Sequence, residues 1–217
     1  MLMTLQSRPI LFNISGPYAV GKDTVLNSLL ARYTVETHRV RTITTRAVSE
    51  DSDPSYESLS QDQFDKRVSN GRWIVNRQLS AQVSYGTSID EIEAEAQAGR
   101  ICVHSIFAGP DGAGALRRTF GRALISLGLL ATQGDISRQL NVLRDRLLLR
   151  GRDDIATVEL RLKHQLPPLE YVMQNPSVAV GPIELPVFDY VITNENLPDT
   201  VKRANEIFAA EFCRGEV

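Results

Sequence analysis

The sequence predicts an α/β fold, a parallel sheet covered by helices on both faces with a small α+β lobe inserted. Three observations carry this expectation. Apolar runs alternate along the chain with apolar residues at helical spacing, the pattern of strand–helix–strand units. The first strand-to-helix junction holds a glycine-bearing turn between Gly16 and Gly21. A length of 217 residues suits one core domain with a modest insertion.

Taken in order, Ile10 to Ile14 form the first apolar run, and Val25, Leu26, Leu29 and Leu30 follow at helical spacing. A β-type stretch over His38 to Thr45 leads into a polar Ser/Asp/Pro loop from Ser49 to Ser55, expected to be exposed. Two capping boxes come next: Ser60 with Gln63 opens a helix carrying Phe64 and Val68, and Ser88 with Glu91 opens one carrying Ile89, Ile92 and Ala96. Short strand-like pieces lie between them at Trp73 to Val75 and Val83 to Tyr85. Residues 45–99 therefore read as the inserted lobe. Ile101 to Phe107 is apolar without alternation, as expected of a parallel strand buried on both faces. GPDGAGA (109–115) reads as a glycine-rich loop and Ala123 to Leu130 as another strand. Leu140, Leu143, Leu147 and Leu148 mark a helix, and Val187 to Thr193 a last strand before a helix carrying Val201, Ala204, Ile207 and Phe208. Leu166 to Pro186, with five prolines, reads as a surface excursion.

Composition narrows the function. Hydrophobic residues make up 42% and charged residues 23%, enough apolar content to bury a core and unlike a disordered chain. Lys plus Arg number 24 against 26 Asp plus Glu, a net charge of −2, which excludes coating nucleic acid or an anionic membrane by bulk charge. Any bound anion must be held by a local site. The amino terminus breaks at Gln6, Ser7 and Arg8 before a signal-peptide core can form, and the apolar stretch 123–131 is too short to span a bilayer. A cytoplasmic location without nucleic-acid or membrane partners is expected. Cys102 and Cys213 show neither metal-ligand spacing nor disulfide density and read as reduced thiols without a function. His38 and His164 have no evident partner, and His104 in its apolar run reads as a hydrogen-bonded core residue.

The sharpest chemical signal is Gly16-Pro17-Tyr18-Ala19-Val20-Gly21-Lys22-Asp23-Thr24, a G-x-x-x-x-G-K sequence between strand and helix. Glycines let backbone N–H groups turn toward an anion, the helix amino terminus adds its positive dipole end, and Lys22, read as an exposed loop cation, supplies a charge for phosphate oxygens. This is a P-loop for a nucleoside triphosphate. Such spacing arises by chance in roughly one chain of this length in twenty at the usual glycine frequency of about 7%; the strand before and helix after favour the functional reading. Where a hydroxyl ordinarily reaches Mg²⁺ the sequence has Asp23, followed by Thr24. A carboxylate there can ligate a hard cation, or simply favour the helix dipole.

GPYAVGKDTVL, then TTR (44–46), Tyr56, SYGTS (84–88), RLLLRGRDD (146–154), Arg161-Leu162 and FDYVITNENL (188–197) follow the order and approximate spacing of guanylate kinases, which the chain resembles from residue 9 to about 210. The resemblance implies a P-loop kinase core over 1–44 and 100–217, a helical lid at about 148–160, and an acceptor-binding lobe over 45–99. It implies Mg²⁺ and ATP as cofactors, a nucleotide or sugar phosphate as acceptor, and a monomer or homodimer. Gly16 to Thr24 with Asn194 would bind ATP. Thr42, Arg46, Tyr56, Tyr85 and Thr87 would hold the acceptor. Lys22, Arg150 and Arg161 would act on the transferring phosphoryl group, with Arg144, Arg146 and Arg152 as secondary candidates for the lid role. Arg forks suit this task, because planar bidentate recognition of phosphate lets several of them bring two polyanions together.

The departures fall mostly on the acceptor side. The family's second phosphate-binding Arg is replaced by Ser49, its guanine-reading Glu falls at about Val75, and its two central-strand acids fall on His104 and Ile106. Asp111 is the competing metal ligand. GMP or dGMP is the default acceptor. Ribose 1,5-bisphosphate phosphokinases, which the G-K-D sequence, Leu59-Ser60-Gln61-Asp62-Gln63-Phe64 and Arg150-Gly151-Arg152 resemble, give an alternative acceptor, ribose 1,5-bisphosphate. A catalytically inactive binding module is the alternative of another class; the intact Lys22, Arg46, Arg150 and Arg161 weigh against it.

Overall fold

The computed structural model describes residues 8–47, 55–78, 83–151 and 153–213. Its core is a five-stranded sheet built from β1 (Leu11–Ser15), β2 (Thr37–Arg39), β7 (Ile101–Ser105), β8 (Leu124–Leu130) and β11 (Tyr190–Thr193), in the order β11-β8-β1-β7-β2. Every pairing is parallel. All five residues of β1 are buried, as a strand covered on both faces must be. Phe12 and Ile14 point to one face, where α1 (Lys22–Arg32), α5 (Ile136–Leu149), α6 (Ile155–Lys163) and α8 (Leu197–Phe212) close over them. Leu11 points to the other face, toward α3 (Ile89–Gln97), α4 (Ala113–Phe120) and α7 (Leu166–Gln174). Each such fully buried side chain contributes about 1.5–3 kcal/mol.

A second sheet carries β3 (Thr42–Thr44), β4 (Tyr56–Ser58), β5 (Trp73–Gln78) and β6 (Val83–Ser88) in the order β4-β3-β6-β5, with α2 (Gln61–Ser69) between β4 and β5. Ser60 caps α2 in a complete box with Gln63. At α3 only half of the expected box forms. Ser88 accepts from the Glu91 N–H, but the Glu91 carboxylate turns instead to His38 at 2.8 Å, which gives that histidine a partner the sequence did not reveal.

The structure corrects several boundaries. His38 to Thr45 is two strands in two sheets: Val40 N–H makes the last rung to Val103 O at 3.0 Å, and Thr42 N–H already bonds Ser55 O at 2.9 Å. Apolar periodicity cannot register that change of partner across Arg41. The glycine-rich segment 109–115 is helical from Ala113. Leu148 lies outside the α5 stripe and is half-exposed, whereas Gln139 lies inside it, bonding the Ala131 and Thr132 backbone. The region 166–186 is no surface excursion: α7 buries Leu169 and Val172, and β9 (Ser177–Val180) and β10 (Ile183–Pro186) form an antiparallel hairpin. Pro167 and Pro168 fit the first turn of α7, where an N–H has no intrahelical partner to lose. The polar loop expected over Ser49 to Ser55 lies outside the described residues except for Ser55.

Candidate active site

The P-loop leaves β1 at Ser15, whose hydroxyl donates to Ile106 O at 2.8 Å. A Cβ on Gly16 would sit 2.5 Å from Leu129 O, so only glycine lets the loop start against β8. Gly21 has φ +99°, a left-handed conformation natural to glycine, and packs against the Asn194 carboxamide. Helix α1 then begins with no side-chain cap, leaving first-turn N–H groups of Lys22, Asp23 and Thr24 for an anion. This arrangement fits a polyphosphate.

Lys22 is half-buried rather than exposed. Its Nζ donates to Gly16 O at 3.0 Å and Pro17 O at 2.8 Å, and it lies 5.9 Å from the Tyr18 ring centroid. Burial lowers its pKa to about 8, against the pull of Asp23 and with the help of Arg150. Lys22, Asp23 and Arg150 therefore share one electrostatic neighbourhood. Asp23 and Thr24 are exposed. Among the described residues no three His, Cys, Asp or Glu side chains cluster as a metal site. One carboxylate is nonetheless a sufficient protein contribution for Mg²⁺, which keeps waters and takes phosphate oxygens.

On the acceptor side, the Arg46 guanidinium lies over the Tyr56 ring at 5.2 Å, and the Tyr56 and Tyr85 rings meet edge-on at 6.4 Å. The Arg46 backbone is fixed by Thr44 Oγ1 at 3.1 Å and by the Ser58 hydroxyl at 2.8 Å. Burial raises the Tyr85 phenol pKa, with Tyr18 adding to the rise while Arg46 and a hydrogen bond with Thr44 oppose it. Tyr85 thus lies within electrostatic reach of both the P-loop and Arg46. Thr42 pairs across the sheet with Thr87. Thr87 is buried, its hydroxyl engaged with His104 Nε2 at 2.9 Å.

Arg161 is exposed and pairs with Asp153 at 3.0 Å. Arg144 is taken up by Glu159 across α5 and α6, and Arg152 and Ser49 lie outside the described residues. Asn194 is buried beneath the P-loop, its Nδ2 donating to Val20 O at 2.7 Å and its Oδ1 accepting from Thr200 at 3.1 Å. Arg146 donates to Asn194 O, tying α5 to the same loop. Sequence reasoning missed Gln165, whose Oε1 accepts from the Tyr18 N–H at 2.7 Å. No local pattern announces it.

The guanylate kinase family profile matches residues 6–126, more than half of the chain. The chain belongs to the guanylate kinase family. As a member of that family it is an ATP-dependent kinase. It is 25% identical over 212 residues to the guanylate kinase of Latilactobacillus sakei, covering 97% of this chain and 93% of that one. It is 28% identical over 208 residues to that of Chlamydia felis, covering 95% and 90%. The crystal structure of guanylate kinase from Anaplasma phagocytophilum shares the fold, with a TM-score of 0.62 at 18% identity over 97% of this chain and 90% of that one. Among the described residues no helix is long and apolar enough to cross a membrane.

Proposed function

We propose that the protein moves the γ-phosphoryl group of Mg²⁺-bound ATP to the phosphate of a nucleoside monophosphate, with GMP or dGMP as acceptor. The observation that supports it best is the grouping of Arg46, Tyr56 and Tyr85, with the Arg46 guanidinium over the Tyr56 ring, the two tyrosine rings edge-on, and Tyr85 within electrostatic reach of Tyr18 in the P-loop. The relatives' name, guanylate kinase, favours a guanine acceptor. Residues 45–99 serve in this reading as the acceptor lobe and about 148–160 as the lid.

The acceptor oxygen is already anionic, so the step needs alignment and charge neutralisation rather than a general base. Arg46, Tyr56 and Tyr85 hold the acceptor phosphate; the P-loop N–H groups and Lys22 hold the donor phosphates; Arg150 and Arg161 neutralise the charge that builds on the phosphoryl group in flight. Mg²⁺, when bound, offsets charge on the phosphate oxygens, and Asp23 is the side chain that would hold it.

A coupled ADP-release assay with Mg²⁺-ATP against GMP, dGMP, AMP, UMP, CMP, dTMP and ribose 1,5-bisphosphate tests the reading. Turnover of GMP or dGMP is expected. Turnover of the sugar bisphosphate alone, or of nothing in the panel, overturns it.

A further inference from the structure

Gln165 follows α6, the helix that carries Arg161, and precedes the Leu166-Pro167-Pro168 start of α7. It is 3% exposed. A Ser, Thr, Asp or Asn at an N-cap turns its side chain to the second or third N–H of the helix it starts. Here those positions are Pro167 and Pro168, which have no N–H to offer, and the side chain makes no capping bond. Gln165 spends its Oε1 elsewhere, on the Tyr18 N–H of the P-loop at 2.7 Å.

That bond grips one peptide plane from outside. In a trans peptide the N–H and C=O point in opposite directions, and the C=O of the Pro17–Tyr18 peptide accepts from Lys22 Nζ at 2.8 Å. Anchoring the N–H therefore aims the carbonyl at the ammonium. The main chain of Gln165 is itself fixed, its N–H donating to Leu162 O at 2.9 Å and its carbonyl accepting from Leu169 N–H at 3.0 Å.

We propose that Gln165 is a positioning residue for phosphoryl transfer, orienting the Pro17–Tyr18 peptide that holds Lys22 and fixing it to the end of the helix that carries Arg161. The inference rests on the P-loop reading given above. It joins two cationic parts of one site through a single carboxamide: Lys22 is set by the peptide, and Arg161 lies one helical turn before Gln165. Displacement of that peptide would shift Lys22 relative to the triphosphate, and misplacements of this kind cost rate steeply because transfer depends on alignment.

The test is Gln165→Met, which keeps length and apolar bulk and removes the acceptor oxygen, measured with the best acceptor from the panel. The expected result is faster exchange of the Tyr18 amide and a fall of about tenfold in kcat/KM for ATP, with the acceptor KM changed less than about twofold. A purely structural role would lower Tm yet leave the kinetic constants of the folded enzyme within about twofold of wild type, and that outcome overturns the proposal. Lys22→Ala is run beside it. Full activity there sinks the P-loop reading itself; an inactive Lys22→Ala with an unaffected Gln165→Met sinks only the role of Gln165. Should Gln165→Met not fold, Gln165→Glu keeps an acceptor oxygen at the same reach: kcat at saturating ATP within about threefold of wild type is expected, and a loss matching that of Lys22→Ala overturns the role.

Discussion

His104 of β7 and Thr87 of β6 join the two sheets, the Thr87 hydroxyl donating to His104 Nε2 at 2.9 Å. The other ring nitrogen meets Val40 O at 3.2 Å. A carbonyl only accepts, so Nδ1 carries the proton and Nε2 is the acceptor. Burial holds the ring neutral and lowers its pKa from 6.5 to about 4.

The sign of the resulting pH dependence is fixed. Between pH 6.5 and about 4 the unfolded chain takes up a proton at His104 that the folded chain refuses, so stability falls as pH falls through that window, at most about 1.4 kcal/mol per pH unit. His104→Gln removes this contribution. Urea midpoints measured across the window should converge for wild type and variant toward acid pH; parallel curves would rule the assignment out.

Lys22→Ala should fold as wild type does and lose at least about a hundredfold in kcat, since the ammonium serves charge that grows in the transition state. In the wild type, kcat/KM for ATP should decline above about pH 8 as the lysine loses its proton. Its effect on stability runs the other way. Between about pH 8 and 10.5 the unfolded chain binds the proton more than the folded one does, so stability rises with pH there. A rate profile flat to pH 10 would contradict the half-buried setting of Lys22.

Arg46 lies over the Tyr56 ring, on the side proposed for the acceptor, whereas Arg150 lies in the electrostatic neighbourhood of Lys22. Arg46→Ala should chiefly raise the acceptor KM, by about tenfold or more, while Arg150→Ala and Arg161→Ala lower kcat with little change in that KM. Steady-state kinetics with varied acceptor decide it. The opposite partition would exchange the two assignments.

Asp23 sits in the first turn of α1 beside Lys22, while Asp111, just ahead of α4, lies near Tyr171. The positions of the family's central-strand acids, His104 and Ile106, are both buried and carry no carboxylate. A carboxylate moved to the P-loop would replace them. Titrating Mg²⁺ at fixed ATP, Asp23→Asn should need severalfold more metal for half-maximal activity, on the order of 3–10-fold, and Asp111→Asn should not. An unchanged requirement in Asp23→Asn returns that residue to a helix-dipole role.

Contiguous chemistry is legible in the order of residues alone. Gly16 to Thr24 lie on one short stretch between an apolar strand and an amphipathic helix, and the Ser60 cap and the parallel strands β1, β7 and β8 follow from spacings a few residues long. What holds that stretch in place comes from contacts made on folding. Asn194 reaches Val20 across 174 residues and Gln165 reaches Tyr18 across 147. Contacts between single side chains so far apart leave no periodicity and no local composition to read, because their partners are backbone groups that every residue carries. The same reason hid the passage of the chain from one sheet to the other between Val40 and Thr42. Strand periodicity reports which face a residue takes, and only folding decides which neighbouring backbone completes its hydrogen bonds.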